Sequence, residues 1–485
     1  MQTAHSDSVF PTEVYERIID YFGQAFDVPF LRACALVSRS WYPRARFHLL
    51  RSIQLHSKTD VLSFTQMVRR GRGPMGLTNV AGMVERMMVR GTEPNATPVE
   101  DVKKETAEDV PRVRMRRSLV HLGTCAAMLA GRAKLNNLTY LGIADGEWRD
   151  MHRNVGSHLS AAFPKVRRVD LFNVKFRSTA DFGRFLCAFN SLVHIGFWVN
   201  PRGQGALQGG PRTQFNPDVF MHTNARRALQ NLRKLTLNGQ KSTRELGEYF
   251  LATGVAEQLD ELWIGYYERV PLAEVAPLIS AATSLLGLDI TVESIVGSQG
   301  TATPKEVVLD LAPNTQLRIL MLRLQPSNLY WLHELLQRVS AKTIQGITII
   351  LDVRRPLLED TTNMRDMLQQ SVSLQLCTSI DELFCSFEEQ PDSADTPAAS
   401  SEPAVEERNL PKEESTRRAR PPKYRYGALR IVQLALWVRK ETVQSVHGSE
   451  EWTALMRARF PLLRARNMLM TAVVLEDSTD FLHEK

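Results

Sequence analysis

A chain of 485 residues is too long for one ordinary compact core, although a repeat array can reach this length. Its 43% hydrophobic and 8% aromatic content is that of a packed globular protein, and no apolar run approaches the roughly eighteen residues a membrane span needs. The net charge of +7, from 60 basic against 53 acidic residues, is too small at this length to argue for nucleic acid by itself. Residues 1–8 are polar and lack a signal-peptide core, so the expected compartment is cytoplasmic or nuclear.

In chain order, the first informative stretch is residues 10–50. Pro11 suits a first helical turn, where its missing N–H leaves no extra orphan donor. Val14, Ile18, Tyr21 and Phe22 recur at helical spacing and predict one apolar face on a helix that Gly23 stops. Leu31, Cys34, Ala35 and Leu36 start a second helix, and Trp41 and Pro43 turn the chain into a third. Three short helices in about forty residues bury little apolar surface of their own, which predicts a unit built to dock on something.

The pattern resembles the F-box family: a Leu-Pro-x-Glu opening helix, then an Ala-Leu-Val-x-Arg-x-Trp helix. It is carried here by Phe10, Pro11, Glu13, Ile18, Leu36, Val37, Arg39 and Trp41, with Phe10 standing where the family has leucine. The plain alternative is an ordinary helical N-terminal cap. The resemblance implies binding to the Skp-type adaptor of a cullin–RING ubiquitin ligase. The residues it points to are Phe10, Pro11, Val14, Ile18, Leu31, Leu36, Val37 and Trp41.

Beyond it, residues 50–55 read as a short strand and 61–68 as a helix. Residues 71–76 match GxGxxG literally, but they follow a helix and contain Pro74, so a loop is expected rather than a dinucleotide site. An internal repeat then begins. The register L-x-x-L-x-L, with aliphatic substitution, starts at Val84, Leu138, Val166, Leu192, Leu232, Leu259, Leu285, Leu317 and Ile344. The steps between these positions are 54, 28, 26, 40, 27, 26, 32 and 27 residues, so the unit is about 27 and the first step is double.

That period, with helical spacing in residues 180–189, 245–253, 272–282 and 329–339, resembles leucine-rich repeats: one strand and one helix per unit, stacked on a parallel sheet. The asparagine usual three residues after the last leucine is missing at all but one place; Gly146, Val174, Asn200, Gln240, Tyr267, Glu293, Gln325 and Asp352 stand there, which predicts irregular turns. Insertions are expected at 92–117 and 201–211, and helices at 113–130 and 362–387. Residues 388–424 are rich in Pro, Ser, Ala and charge and are expected to be disordered. Leu429, Val432 and Leu434 restore the register, a helix passes through 452–459, and 468–475 makes a closing strand.

Chemistry leaves little trace. Eleven histidines are scattered singly, without HExxH or a Gly-x-Ser-x-Gly elbow, and five cysteines form no CxxC pair or metal-ligand spacing. No catalytic residue, metal or cofactor is therefore expected. The basic run 417–425 directly follows the acidic run 402–414, which favours a solvated linker over a nucleic-acid tail.

By period two, the residues between the aliphatics share the sheet's other face: Arg168, Asp170 and Phe172; His194, Gly196 and Trp198; Lys234, Thr236 and Asn238; Glu261 and Trp263. Large aromatics there point to a substrate surface at Phe172, Trp198 and Trp263, against the alternative that another segment covers them.

The expected architecture is α/β. A three-helix F-box spans residues 1–55 and an irregular leucine-rich-repeat-like solenoid with a parallel sheet spans 56–387. A disordered insert covers 388–424 and closing repeats 425–485. The implied function is the non-enzymatic, substrate-recruiting subunit of an SCF-type ubiquitin ligase. Its partners would be a Skp-type adaptor, a cullin reached through it, and a protein substrate of unknown identity. The alternative is a repeat scaffold without a ligase role.

Overall fold

The structure is a computed structural model. It describes residues 11–24, 27–70, 80–91, 117–131, 133–198, 228–238, 240–265, 272–292, 309–339, 342–353, 372–386, 424–438 and 448–475. Phe10, the GxGxxG stretch, the insertions at 92–116 and 201–211 and residues 388–423 lie outside these, and the expectations made for them are not addressed. The chain forms two compact units, Met1–Leu285 and Leu286–Lys485, and both are α/β with parallel strands.

The first unit opens with helices α1 (Thr12–Gln24), α2 (Val28–Val37) and α3 (Tyr42–Arg51). Asp27 caps α2 by accepting the Phe30 N–H at 3.0 Å, and Pro29 sits in its first turn, so this helix starts earlier than the apolar spacing suggested. The unit has its own core of Ile19, Leu31, Cys34 and Ala45. Tyr15 packs on Trp41 at 4.9 Å between ring centroids and Phe22 stacks on Phe30 at 3.6 Å.

The face of α1 that turns inward thus carries Tyr15, Ile19 and Phe22 at i, i+4 and i+7. The expected face mixed two stripes: Val14, Ile18 and Tyr21 form the neighbouring one, and it is exposed.

Strands β1 (Ser52–Leu55), β2 (Arg86–Arg90), β3 (Tyr140–Glu147), β4 (Arg168–Lys175), β5 (His194–Trp198), β6 (Lys234–Asn238) and β7 (Glu261–Ile264) follow. Each pairs in parallel with the next, so spatial order is chain order. Helices Lys58–Arg70, Val120–Leu129, Val155–Ala162, Thr179–Leu186, Gln240–Ala252 and Leu272–Ala281 lie between or after the strands. Val120–Leu129 is shorter than the helix expected over 113–130.

The repeat register holds strand by strand. Met87, Leu141, Val169, Ile195, Leu235 and Leu262 stand side by side, as do Val89, Ile143, Leu171, Phe197, Leu237 and Ile264. All are buried except Phe197, which is half-buried against Phe182 and Phe250 of the helices. Burying such a row contributes on the order of 2 kcal/mol per side chain, which no single repeat could secure alone.

Backbone bonds link successive strands at their entries. The carbonyls of Glu85, Thr139, Arg167, Val193 and Arg233 each accept two successive N–H groups from the next repeat. At the exits of β3 and β4, Asp145 and Asn173 adopt positive φ of 54° and 53°, and Asn173 Nδ2 donates to Asp145 Oδ1 at 3.0 Å. This polar step stands one residue before the places, Gly146 and Val174, where the leucine-rich-repeat pattern would have asparagine. Asp and Asn tolerate this left-handed backbone better than most residues.

The second unit carries β8 (Gly287–Thr291), β9 (Ile319–Leu324), β10 (Gly346–Asp352), β11 (Ile431–Val438) and β12 (Leu469–Leu475). From β8 to β12 each pairs in parallel with the next. Leu288, Leu320, Ile347, Val432 and Leu469 form one register row. Helices Leu329–Arg338, Leu374–Cys385, Gly448–Arg459 and Pro461–Ala465 accompany them. Of the helix expected over 362–387, Leu374–Cys385 forms, and residues 362–371 and 387 lie outside the described residues.

A small apolar cavity of about 20 Å³ remains among Leu332, Ile349, Ile380, Leu434, Trp452 and Met456. Tyr424, placed in the insert by composition, belongs to the fold: the Arg466 guanidinium lies 4.2 Å from its ring centroid. Among the described residues, no helix is long and apolar enough to cross a membrane.

Candidate functional site

Two surfaces of the first unit gather the residues singled out by sequence. The first is the three-helix unit. Asp20 of α1 ties it to α3, accepting from Arg44 Nε at 2.6 Å and Nη2 at 2.5 Å and standing 2.8 Å from His48 Nε2. The Arg44 hydrogen bond, helped by His48 and opposed by partial burial, holds the Asp20 carboxyl down at about 2. Gly23 faces the same histidine. A Cβ there would fall 2.2 Å from His48 Nδ1, so the close approach of α1 and α3 requires glycine.

With the helices fixed against one another in this way, large apolar side chains remain outside. Leu36 is 88% exposed, Val37 67%, Tyr21 68%, Ile18 40% and Val14 37%, and Pro11 is exposed as well. Trp41 is half-buried against Tyr15. Leu31 differs from the others: at 1% exposure it lies in the core of the unit and has no surface to offer. Apolar exposure on this scale marks an interaction surface more often than a solvated helix.

The second surface is the sheet face opposite the aliphatic rows. Across β2 to β7 its first row reads Arg86, Tyr140, Arg168, His194, Lys234 and Glu261. Its second reads Met88, Gly142, Asp170, Gly196, Thr236 and Trp263, and its third includes Phe172, Trp198 and Asn238. The row assignments of Phe172, Trp198 and Trp263 agree with the period-two reading.

Their environments differ. Trp198 is buried, 8% exposed, and stacks on Phe172 with centroids 6.1 Å apart and planes 17° apart. Gly196 makes this possible: a Cβ there would meet Trp198 Nε1 at 2.6 Å and Asp170 Oδ1 at 2.4 Å. Trp263 is half-buried, edge-on to His194 at 6.4 Å, and His194 Nε2 lies 3.1 Å from Thr236 Oγ1.

Tyr140 and Arg86 were not singled out from sequence, although the same register includes them. The guanidinium carbons of Arg86 and Arg168 lie 4.5 and 5.6 Å from the Tyr140 ring centroid. Burial raises the Tyr140 phenol and lowers Arg86. Arg168 grips the buried Asp170 through Nε at 3.0 Å and Nη2 at 2.9 Å, and Lys234 Nζ meets Glu261 at 2.6 Å.

The arrangement offers rigid aromatic and charged contact groups. Among the described residues no group of three His, Cys, Asp or Glu is placed to hold a metal ion.

No family model matches the chain, and no curated protein is similar to it. Fold and surface define an α/β protein with parallel strands and a three-helix unit, Thr12–Arg51, that exposes apolar side chains.

Proposed function

We propose that this chain is the substrate-recruiting subunit of a cullin–RING, SCF-type ubiquitin ligase. Its three N-terminal helices are an F-box that binds a Skp-type adaptor, and the repeats that follow form a leucine-rich-repeat-like solenoid. The sheet face around Phe172, Trp198 and Trp263 holds a protein substrate, in the cytoplasm or nucleus. The protein performs no bond chemistry; it raises the effective concentration of substrate lysines near the charged ubiquitin carrier.

One observation carries the reading. The unit closes its own small core and still exposes Val14, Ile18, Leu36 and Val37, the positions that F-box resemblance assigns to the adaptor.

The test uses purified adaptor and the full chain in size-exclusion and titration experiments. Ile18→Asp buries an unpaired carboxylate in the complex and nothing in the free protein, because Ile18 is already 40% exposed. Such burial costs at least ~2–3 kcal/mol, so affinity falls on the order of a hundredfold or more while the melting temperature stays put. The control, Ile19→Asp, enters the core and unfolds the helices. Wild-type chain that forms no complex, or an Ile18→Asp chain that binds as wild type does, would leave the scaffold reading in its place.

A further inference from the structure

Strand β12 runs Leu-Met-Thr-Ala-Val-Val-Leu, without charge, proline or glycine. It pairs with β11 on one side, and among the described residues no strand pairs with its other side. Natural edge strands are ordinarily blunted by a lysine, a proline, a bulge or a covering element, because unpaired N–H and C=O groups template another strand. The sequence of β12 contains neither lysine nor proline. Met470 is 51% exposed and Thr471, Ala472, Val473 and Val474 are half-buried, whereas Leu434, Ala435, Leu436 and Trp437 beside them on β11 are buried.

The ladder determines which backbone groups are left over. Val432 N–H donates to the Met468 carbonyl at 2.8 Å. In a parallel pair the bonding residues alternate, so Met470, Ala472 and Val474 direct their backbone groups to β11. Leu469, Thr471 and Val473 direct theirs outward.

We propose that β12 docks a second copy of this chain, antiparallel to itself about a two-fold axis at Ala472. A two-fold contact requires a strand that complements itself. With the axis there, Thr471 stands opposite Val473 of the second copy, and both carry outward-facing groups, so they form a hydrogen-bonded pair. Met470 stands opposite Val474, and the smallest side chain falls on the axis.

The added strand must also continue two layers. One is the helix side, where Thr471 Oγ1 lies 2.9 Å from Thr453. The other is the apolar cluster of Ile350, Ala435 and Trp437, against which Ala472 and Val474 pack. A strand apolar on both faces meets that need, and β12 is one. Its neutrality offers an acidic or basic peptide no attraction. Edge pairing alone buries less than a standard interface, so the association is weak and depends on concentration.

The experiment is sedimentation equilibrium of the full chain over roughly 1–100 micromolar, a range that reaches the expected affinity. The mass should rise toward twice that of the monomer. Met470→Lys, at an exposed site, should weaken association at least tenfold with unchanged melting. Val473→Pro removes an outward N–H that β11 does not use, and should do the same. A wild-type chain that stays monomeric throughout, or a normally melting Met470→Lys chain that still dimerises, overturns the proposal; the second variant adds support only if it folds. Adaptor binding is untouched in every arm, so failure here is distinct from failure of the ligase reading.

Discussion

Asp20 shows how one side chain sets the geometry of the three-helix unit. It accepts from Arg44 and stands within hydrogen-bond distance of His48, both one turn apart on α3, so a single carboxylate fixes the angle between two helices. Its folded value of about 2 lies below the ordinary 3.8. The unfolded chain therefore binds this proton first as pH falls. The stabilisation is fully present above about pH 4 and is lost as pH drops through 3.8 toward 2. Asp20 is 29% exposed, so solvent screens part of the effect. Asp20→Asn should lower the melting temperature of the helical unit at neutral pH by ~2–6 °C and flatten its acid-induced loss between pH 4 and 2. Circular dichroism melts across that range check both. An unchanged acid limb would mean that another carboxylate holds α1 to α3.

At the scale of elements, the sheet face separates two aromatics that one periodicity argument had treated alike. Trp263 is half-buried in a row that also holds Thr236 and Gly196, whereas Trp198 lies folded over Gly196 against Phe172. Trp263→Ala should cost ~1–3 kcal/mol in substrate capture and leave melting and adaptor binding unchanged. Trp198→Ala should lose stability as well, by ~3 kcal/mol or more, because it opens a cavity beneath Phe172. Thermal melts, paired with affinity purification after proteasome inhibition, separate the two. If Trp198→Ala melts as wild type does, the ring contributes no packing. If neither variant affects capture, the substrate contacts lie on the loops.

At the scale of the whole molecule, chain length sits where the fold tolerates it. Residues 388–423 leave after the helix Leu374–Cys385 and return at Tyr424. The Arg425 N–H donates to the Ser386 carbonyl at 3.0 Å, so residues that flank this segment already touch. Tyr426 anchors the return by donating to the Leu336 carbonyl at 2.6 Å and packing on Phe384 at 5.3 Å. Loop-closure cost grows only logarithmically with length. Replacing residues 388–423 by a short Gly-Ser bridge should therefore shift stability by about 1–2 kcal/mol at most, in the stabilising direction. Calorimetry of the shortened chain checks this, and a large fall in melting temperature would show that the segment packs against the repeats.

What the sequence alone determined is the part of the structure written in local period. The L-x-x-L-x-L registers at Leu138, Val166, Leu232 and Leu317 all became parallel strands with their aliphatics buried, because alternation by two assigns a side chain to a face whatever lies beyond it. The three N-terminal helices were legible for the same reason, from spacing and punctuation. Tertiary structure decided the choices that local period leaves degenerate. Ile18 and Ile19 both fit a helical stripe; Leu31, Cys34 and Ala45 of the other two helices select Ile19 for the core and leave Ile18 outside. Phe172 and Trp198 occupy one row by period, but the burial of Trp198 follows from a glycine two residues away and a ring on the next strand. The Asp145–Asn173 step and the outward groups of β12 likewise depend on partners about 28 or more residues distant in sequence. Stereochemistry along the chain fixes which face a side chain takes; only the neighbours that folding brings up decide whether that face meets protein or water.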